Sequence, residues 1–352
     1  MEGDRTSGAD GPVPGVTVVV VVYGEEPWLP RCLRAILGSE GIAVELVLVE
    51  NGGSEDVLAS FESDPRVIVV RPGRNTGFAE GCNLGVAAGS AAMVALVNPD
   101  AVVEPGALAT LCARAARPGV GLATASLRLA DRPDRLNCAG NLVTVTGISW
   151  ADHFGQPAER FPTPFDVVGA SGAGLAIRRS LWDELGGFNE WYFAYWEDTE
   201  LSIRAIERGW RVVYEPTAVI VHRYEFSKNT AKFFLLERNR TVTALTCFST
   251  RHLLVMAPLM LAMEIGLLAV AARQGWFREK ARALRWVMTH RREIRDRRRE
   301  VQSMRTGRES ALLDLLSTSL TPANMDEGRP PQVLERFVAA YWRVARRTML
   351  RG

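Results

Sequence analysis

The 352 residues are 47% apolar and carry a formal net charge of +2, enough chain for one large α/β domain with an appendage or for two modest domains. No stretch interleaves basic and aromatic residues, so no nucleic-acid partner is expected. The five cysteines (Cys32, Cys82, Cys112, Cys138, Cys247) are odd in number and lack a CxxC spacing, which excludes a zinc knuckle or disulfide framework and leaves buried thiols.

The opening MEGDRTSGADGPVPG is acidic, rich in Gly and Pro, and lacks the basic start and apolar run of a signal peptide. Residues 1–15 therefore read as a disordered tail. VTVVVVVY (16–23) is an unbroken β-branched run, the pattern of a parallel strand buried on both faces. WLPRCLRAILGS then places apolar residues at helical spacing, with Gly38 as a stop. VELVLVE (44–50) is a second strand, ending in the Gly-rich turn ENGGSED, and RVIVVR (66–71) is a third. GFAEGCNLGVAAG (77–89) reads as a helix of small residues and MVALVN (93–98) as a fourth strand. This alternation predicts an α/β fold: a doubly wound, mostly parallel sheet with helices on both faces. Ligands of such sheets sit at the carboxyl ends of the strands, where Tyr23, Glu50, Arg71, Arg74 and Asp100 fall.

Residues 120–175 mix short strands and turns. RRSLWDELGGF (178–188) and EDTELSIRAIERG (197–209) are predicted helices, and WRVVYEP and AVIVH short strands. From Lys228 onward the chain reads as helical, apart from a polar break near 318–330.

Asn98-Pro99-Asp100 closes the fourth strand. Read alone it is a strand-ending turn, since all three are turn residues. Read functionally, two oxygen side chains two residues apart on a rigid strand tip suit a hard divalent cation. Glu197 and Asp198 likewise read alone as acids complementing a helix N-terminus. The aromatic cluster just before them (Trp191, Tyr192, Phe193, Tyr195, Trp196) suits either core packing or sugar C–H faces.

The segments from about Val16 to His222 resemble family 2 glycosyltransferases of the GT-A fold. VTVVVVVYGEEPWLPRCLRAIL, ELVLVENGGSED, RNTGFAEGCNLG, LVNPDAVVEPGAL and the long run from VVGASGAG to RVVYEP stand in that family's order. The Asn-x-Asp form is that of its rhamnosyltransferase-like branch. Gly24, Glu50 and Asn98 depart from the commoner Asn, Asp and Asp. The resemblance implies an inverting transferase using Mg²⁺ or Mn²⁺ and a dTDP- or UDP-sugar, with rhamnose-like donors favoured. It assigns Asp100 and His222 to the metal, Tyr23, Glu50, Arg74, Asn75, Asn83 and Asn98 to the nucleotide-sugar donor, and Asp198, with Glu197 beside it, to catalysis as the base. The implied acceptor is a lipid-linked glycan in cell-envelope polysaccharide synthesis. QGWFREKARALRW does not supply the Gln-x-x-Arg-Trp of processive synthases, which favours addition of one or a few sugars.

Residues 228–352 then read as a membrane-associating helical region after a catalytic domain at 16–227. LLVMAPLMLAMEIGLLAVAA (253–272) carries one charge, Glu264, and one proline over about 30 Å. Thirteen basic residues and four acids between Arg273 and Arg308 make the next segment +9, leaving −7 for the rest. A single span would place that segment outside, against the positive-inside tendency. An interfacial or re-entrant helix at the cytoplasmic face of the cell membrane is the expectation, with the basic run on anionic lipid. The amphipathic PQVLERFVAAYWRVARRTML either docks on that surface or pairs copies into a homo-oligomer. Two alternatives are a nucleotidyltransferase, which wants a Gly-rich, Lys-bearing loop where YGEEPW stands, and a non-catalytic sugar- or lipid-binding scaffold.

Overall fold

The valine run forms β1 (Gly15–Val22), and its alternate side chains enter two separate cores. Val19 and Val21 face one, Val16, Val18, Val20 and Val22 the other, so no position is left to solvent and the run stays apolar. The computed structural model describes residues 15–223, 232–306, 309–320 and 331–350. The expected disordered tail lies outside them, except Gly15, which begins β1; the expected domain boundary at 227/228 also lies outside.

The chain continues through α1 (Leu29–Leu37), β2 (Ala43–Glu50), α2 (Glu55–Ala59), β3 (Val67–Val70), α3 (Gly77–Ala88), β4 (Met93–Val97), β5 (Ala101–Val103), α4 (Ala107–Ala115), β6 (Val120–Leu129), β7 (Arg132–Cys138), β8 (Asn141–Val143), β9 (Ser149–Ala151), β10 (Phe165–Asp166), β11 (Gly174–Arg178), α5 (Arg179–Leu185), α6 (Glu197–Glu207) and β12 (Arg211–His222). The main sheet runs β10-β12-β6-β11-β4-β1-β2-β3. β3, β2, β1 and β4 pair in parallel, as do β6 and β12; β11 enters antiparallel between β4 and β6. The expected fold is present: a mixed, mostly parallel sheet with helices on both faces.

Three local expectations change. A one-turn helix, α2, occupies the link read as a plain turn. The segments read as two short strands are the single strand β12, irregular between Glu215 and Val219, and β6 is a ten-residue strand rather than a short one. The small residues of α3 have a packing cause. A Cβ at Gly85 would lie 2.3 Å from Val19 Cγ1 and 3.1 Å from Val49 Cγ2, so only glycine lets the helix approach β1 and β2 this closely.

Among the described residues six helices follow: α7 (Lys232–Cys247), α8 (Thr250–Gln274), α9 (Phe277–Thr289), α10 (Arg291–Ser303), α11 (Glu309–Leu315) and α12 (Gln332–Leu350). A buried ionic cluster ties α7, α8 and α9 together. Glu237 bonds Arg240 at 2.8 Å and also Lys280, while Glu264 receives both Arg240 and Lys280, the latter at 2.6 Å. Buried charges persist when paired and hydrogen-bonded in this way. The basic run is therefore not wholly a lipid-facing surface. Arg297 pairs with buried Glu200 at 3.4 Å, Arg305 pairs with Glu207, and Arg298 donates to the Phe248 carbonyl at 2.8 Å, closing the end of α7. These arginines dock the helices onto α6 and α7, whereas Arg273, Arg278, Arg285 and Arg292 remain exposed.

Candidate active site

The parallel strands β1, β2 and β3 end on one edge, and β4 ends at Asn98-Pro99-Asp100 beside them. β5 then pairs antiparallel with the end of β12, setting Ala101 opposite His222. This register brings residues 122 apart in sequence together: His222 Nε2 lies 3.1 Å from Asp100 Oδ1. The other ring nitrogen, Nδ1, lies 2.9 Å from Asn137 Oδ1. With Nδ1–H donating to that oxygen, the Nε2 lone pair faces a carboxylate oxygen, an arrangement that calls for a proton or a cation between them. The alternative, with the Asn137 amide turned, leaves Nε2–H to donate to Asp100; buried Asn137 Nδ2 has no hydrogen-bond partner as placed. The pair suits an octahedral divalent ion, whose adjacent ligands at ~2.1 Å stand about 3.0 Å apart. The asparagine behind the ring is the kind of outer partner that fixes a ligating histidine. Among the described residues no group of three or more His, Cys, Asp or Glu forms a metal cage. A two-ligand site completed by substrate oxygens matches how Mg²⁺ is held beside phosphates.

A cavity of about 480 Å³ opens here. Asn98, His222, Glu197, Asp198 and Lys232 all line it, with Tyr195 and Trp150 among its aromatic walls. Asp198 sits in the first turn of α6 and is held by four donors: Gly172 N at 2.8 Å and Asn141 Nδ2 at 3.2 Å to one oxygen, Thr199 N at 2.6 Å and Thr199 Oγ1 at 3.1 Å to the other. Burial pushes its pKa above the usual carboxylate value against the pull of those bonds. Glu197 is buried, one of its carboxylate oxygens has no hydrogen-bond partner, and burial and then the charge of Asp198 hold its pKa well above the ordinary value. Burial and the neighbouring charge thus disfavour the charged form of Glu197 beside Asp198.

The remaining expected donor residues lie apart from this cavity. Tyr23 follows β1 and is 66% exposed. Glu50 ends β2, buried, with its pKa raised by burial and then by the Glu55 carboxyl, and with Arg71 Nε 3.2 Å away. Arg74 pairs with Glu80 and Asn75 accepts from Gly77 N at 2.9 Å. Glu50 ends β2, and Tyr23, Arg74 and Asn75 follow β1 and β3, so all four stand at the carboxyl edge of adjacent strands, where ligands of such sheets bind. Asn83 does not join them: it is spent on the backbone of Phe188 at 2.9 and 3.0 Å and on Glu190 at 3.1 Å, so its position is structural. Sequence reading missed Asn137 in β7 and Asn141 at the start of β8, which have no local signature, and Asn51. Buried Asn51 joins the end of β2 to Thr76 and Gly77 at the start of α3.

A family model described as "Glycosyltransferase like family 2" matches residues 14–244. N-acetylglucosaminyl-diphospho-decaprenol L-rhamnosyltransferase of Mycobacterium tuberculosis is 31% identical over 229 residues, covering 58% of this chain and 75% of that protein. Succinoglycan biosynthesis protein ExoO of Rhizobium meliloti is 31% identical over 117 residues, covering 33% of this chain and 34% of that protein. Among solved structures, GalNAc-T7 with UDP, GalNAc and Mn²⁺ superposes with a TM-score of 0.52 at 15% identity, over 66% of this chain and about half (49%) of that one.

Proposed function

The chain belongs to glycosyltransferase-like family 2, and from that premise we propose that it moves a rhamnose-like sugar, with inversion, from a nucleoside-diphosphate donor to a polyprenyl-linked glycan. That it is a glycosyltransferase follows from the family. The finer reading is supported by one observation: a single cavity is lined by both Asp198, whose carboxylate is fixed by four hydrogen bonds, and His222, whose Nε2 lies 3.1 Å from Asp100 behind the cavity wall. The choice of sugar and acceptor is supported by the mycobacterial relative, whose name gives L-rhamnose and a decaprenol-linked acceptor.

Asp198 takes the proton from the acceptor hydroxyl as its oxygen attacks the anomeric carbon, and the nucleoside diphosphate leaves from the opposite face. Asp100 and His222 are the residues that would hold Mg²⁺ or Mn²⁺, which when bound offsets the charge of the leaving diphosphate. Tyr23, Glu50, Arg74 and Asn75 take the nucleotide along the strand edge, and Asn98 faces the donor sugar from the strand tip. The test is a panel of dTDP-, UDP- and GDP-sugars with a polyprenyl-diphosphate glycan, read by nucleoside-diphosphate release with and without chelator and by the anomeric configuration of the product. Retention of configuration, or full activity in excess chelator, overturns the reading.

The acceptor places the enzyme at a lipid surface, which we take to be the cytoplasmic face of the membrane. An 18-residue stretch of α8 has a mean hydropathy of 2.3 and only 11% of it is buried; Leu254, Leu261 and Ile265 are 71%, 64% and 62% exposed. Val333, Phe337 and Val344 of the neighbouring α12 are exposed too. Glu264, midway along α8, is tied to Arg240 and Lys280, so a crossing helix would drag an ionic cluster into hydrocarbon. An in-plane helix keeps the cluster on the protein side. Each basic residue near anionic lipid contributes about 1 kcal/mol. Replacing exposed Arg273, Arg278 and Arg285 together by Ala is therefore expected to weaken co-sedimentation with anionic vesicles by about 10²-fold at low salt, and by less at high salt. Equal partitioning of both proteins would reject the lipid-facing role.

A further inference from the structure

The chain just before Asp198 is strained. Phe193, Tyr195 and Trp196 have φ of 62°, 70° and 76°, three of the four non-glycine residues with positive φ among the described residues. Phe193, with ψ of −61°, is the centre of a γ-turn closed by Ala194 N to Tyr192 O at 2.6 Å. Such conformations cost about 1–3 kcal/mol each and persist only where surrounding structure imposes them. What imposes this one lies mostly on α7. Asn239, fully buried, directs its Nδ2 at the carbonyls of Tyr192, Ala194 and Tyr195 at 3.0, 2.9 and 2.7 Å. Arg238 Nη2 donates to the carbonyls of Trp191 and Tyr192 at 2.6 and 2.9 Å. Its Nε donates to Asn239 Oδ1 at 2.8 Å, which turns the amide nitrogen toward the loop. The guanidinium itself is held over the rings of Phe234 and Trp286, 5.2 and 5.1 Å from their centroids.

The loop so held does two things. The Phe193 carbonyl accepts from Phe78 N at 2.6 Å and Ala79 N at 3.0 Å, capping α3. The close approach requires glycine at 77, where φ is +76° and a Cβ would lie 2.5 Å from that carbonyl oxygen. Trp196 is the N-cap of α6, its carbonyl accepting from Glu200 N at 2.8 Å, so the loop sets where the first turn of α6 begins. Ala194, Tyr195 and Trp196 are also a wall of the cavity that holds Asp198.

We propose that Arg238 and Asn239 are positioning residues for the transfer reaction: they hold the strained loop that places Asp198 and the acceptor-side wall, which makes α7 part of the catalytic apparatus. This rests on Asp198 being the base. Neither residue touches the donor edge at β1–β3, so the prediction separates two constants. Asn239→Ala is expected to lower kcat by about 10²-fold, the cost of an ångström-scale displacement of a reacting group, with affinity for the nucleoside diphosphate unchanged. Arg238→Met keeps an apolar chain between Phe234 and Trp286, removes the bonds to the loop and to Asn239, and is expected to move kcat the same way; it serves as the test if Asn239→Ala does not fold. Steady-state kinetics and titration calorimetry with the nucleoside diphosphate, on the full chain, give both readouts. Unchanged kcat in a folded variant, or donor affinity falling in step with kcat, overturns the assignment. A wild-type protein with no transfer activity, or one whose Asp198→Asn form is fully active, overturns the base reading as well, which distinguishes the two failures.

Discussion

Asp198→Asn is expected to lower transfer by about 10²–10⁴-fold, the usual contribution of general acid–base catalysis, while nucleotide binding stays intact. An amide has the size of the carboxylate and can use the bonds from Gly172 and Asn141, but it cannot accept the acceptor's proton. The pH dependence gives a second check. A base works only when deprotonated, and burial raises the pKa of Asp198. Activity should therefore fall as the pH drops through a limb lying above the ordinary carboxylate range, and the residual activity of Asp198→Asn should lack that limb. Rates across a pH series at saturating donor measure it. A variant with unchanged turnover, or one that loses the nucleotide, places Asp198 elsewhere in the mechanism.

Asp100→Ala should abolish divalent-dependent donor binding with the fold unchanged. The side chain projects from a strand tip, half-buried, and its bond is to His222 rather than into either core. Removing it would leave His222 alone of the two side chains proposed to hold a divalent ion, whose charge would offset that of the donor diphosphate. The loss should appear as donor titrations that no longer respond to Mg²⁺ or Mn²⁺, with the melting temperature in metal-free buffer close to that of the wild type. Donor binding that keeps its metal response in Asp100→Ala would remove this pair from the metal site. His222→Ala is expected to act in the same direction.

The parallel frame was legible because its signal is local. The central stretches of β1, β2 and β4 are buried on both faces, so nearly all of their positions are apolar, and the runs stop at the carboxyl edge of the sheet. Asp100, Asp198 and Glu197 were singled out by the family resemblance instead: read alone, they are residues of a strand-ending turn and a helix start. What was not legible depends on pairing between distant segments. Nothing near Asn137, Asn141 or Asn239 marks them, because a buried amide is defined by the carbonyls and rings it meets, and those come from other elements. Asn83 shows the converse: it belongs to the segment that resembles a nucleotide-side helix, and the fold adds what the segment does not show, that its amide meets the Phe188 backbone.

The C-terminal helices show the same division. Composition alone determined that residues 253–272 form an apolar helix and that a strongly basic segment follows it, since helical periodicity and charge are properties of the segment itself. Which arginines turn outward was decided only by the tertiary structure. Arg297, Arg298 and Arg305 meet acids and carbonyls of α6 and of the end of α7, while Arg273, Arg278 and Arg285 meet none among the described residues and are exposed. A charge in a sequence has a sign but no partner, and the energy of a charge depends on its partner and its burial.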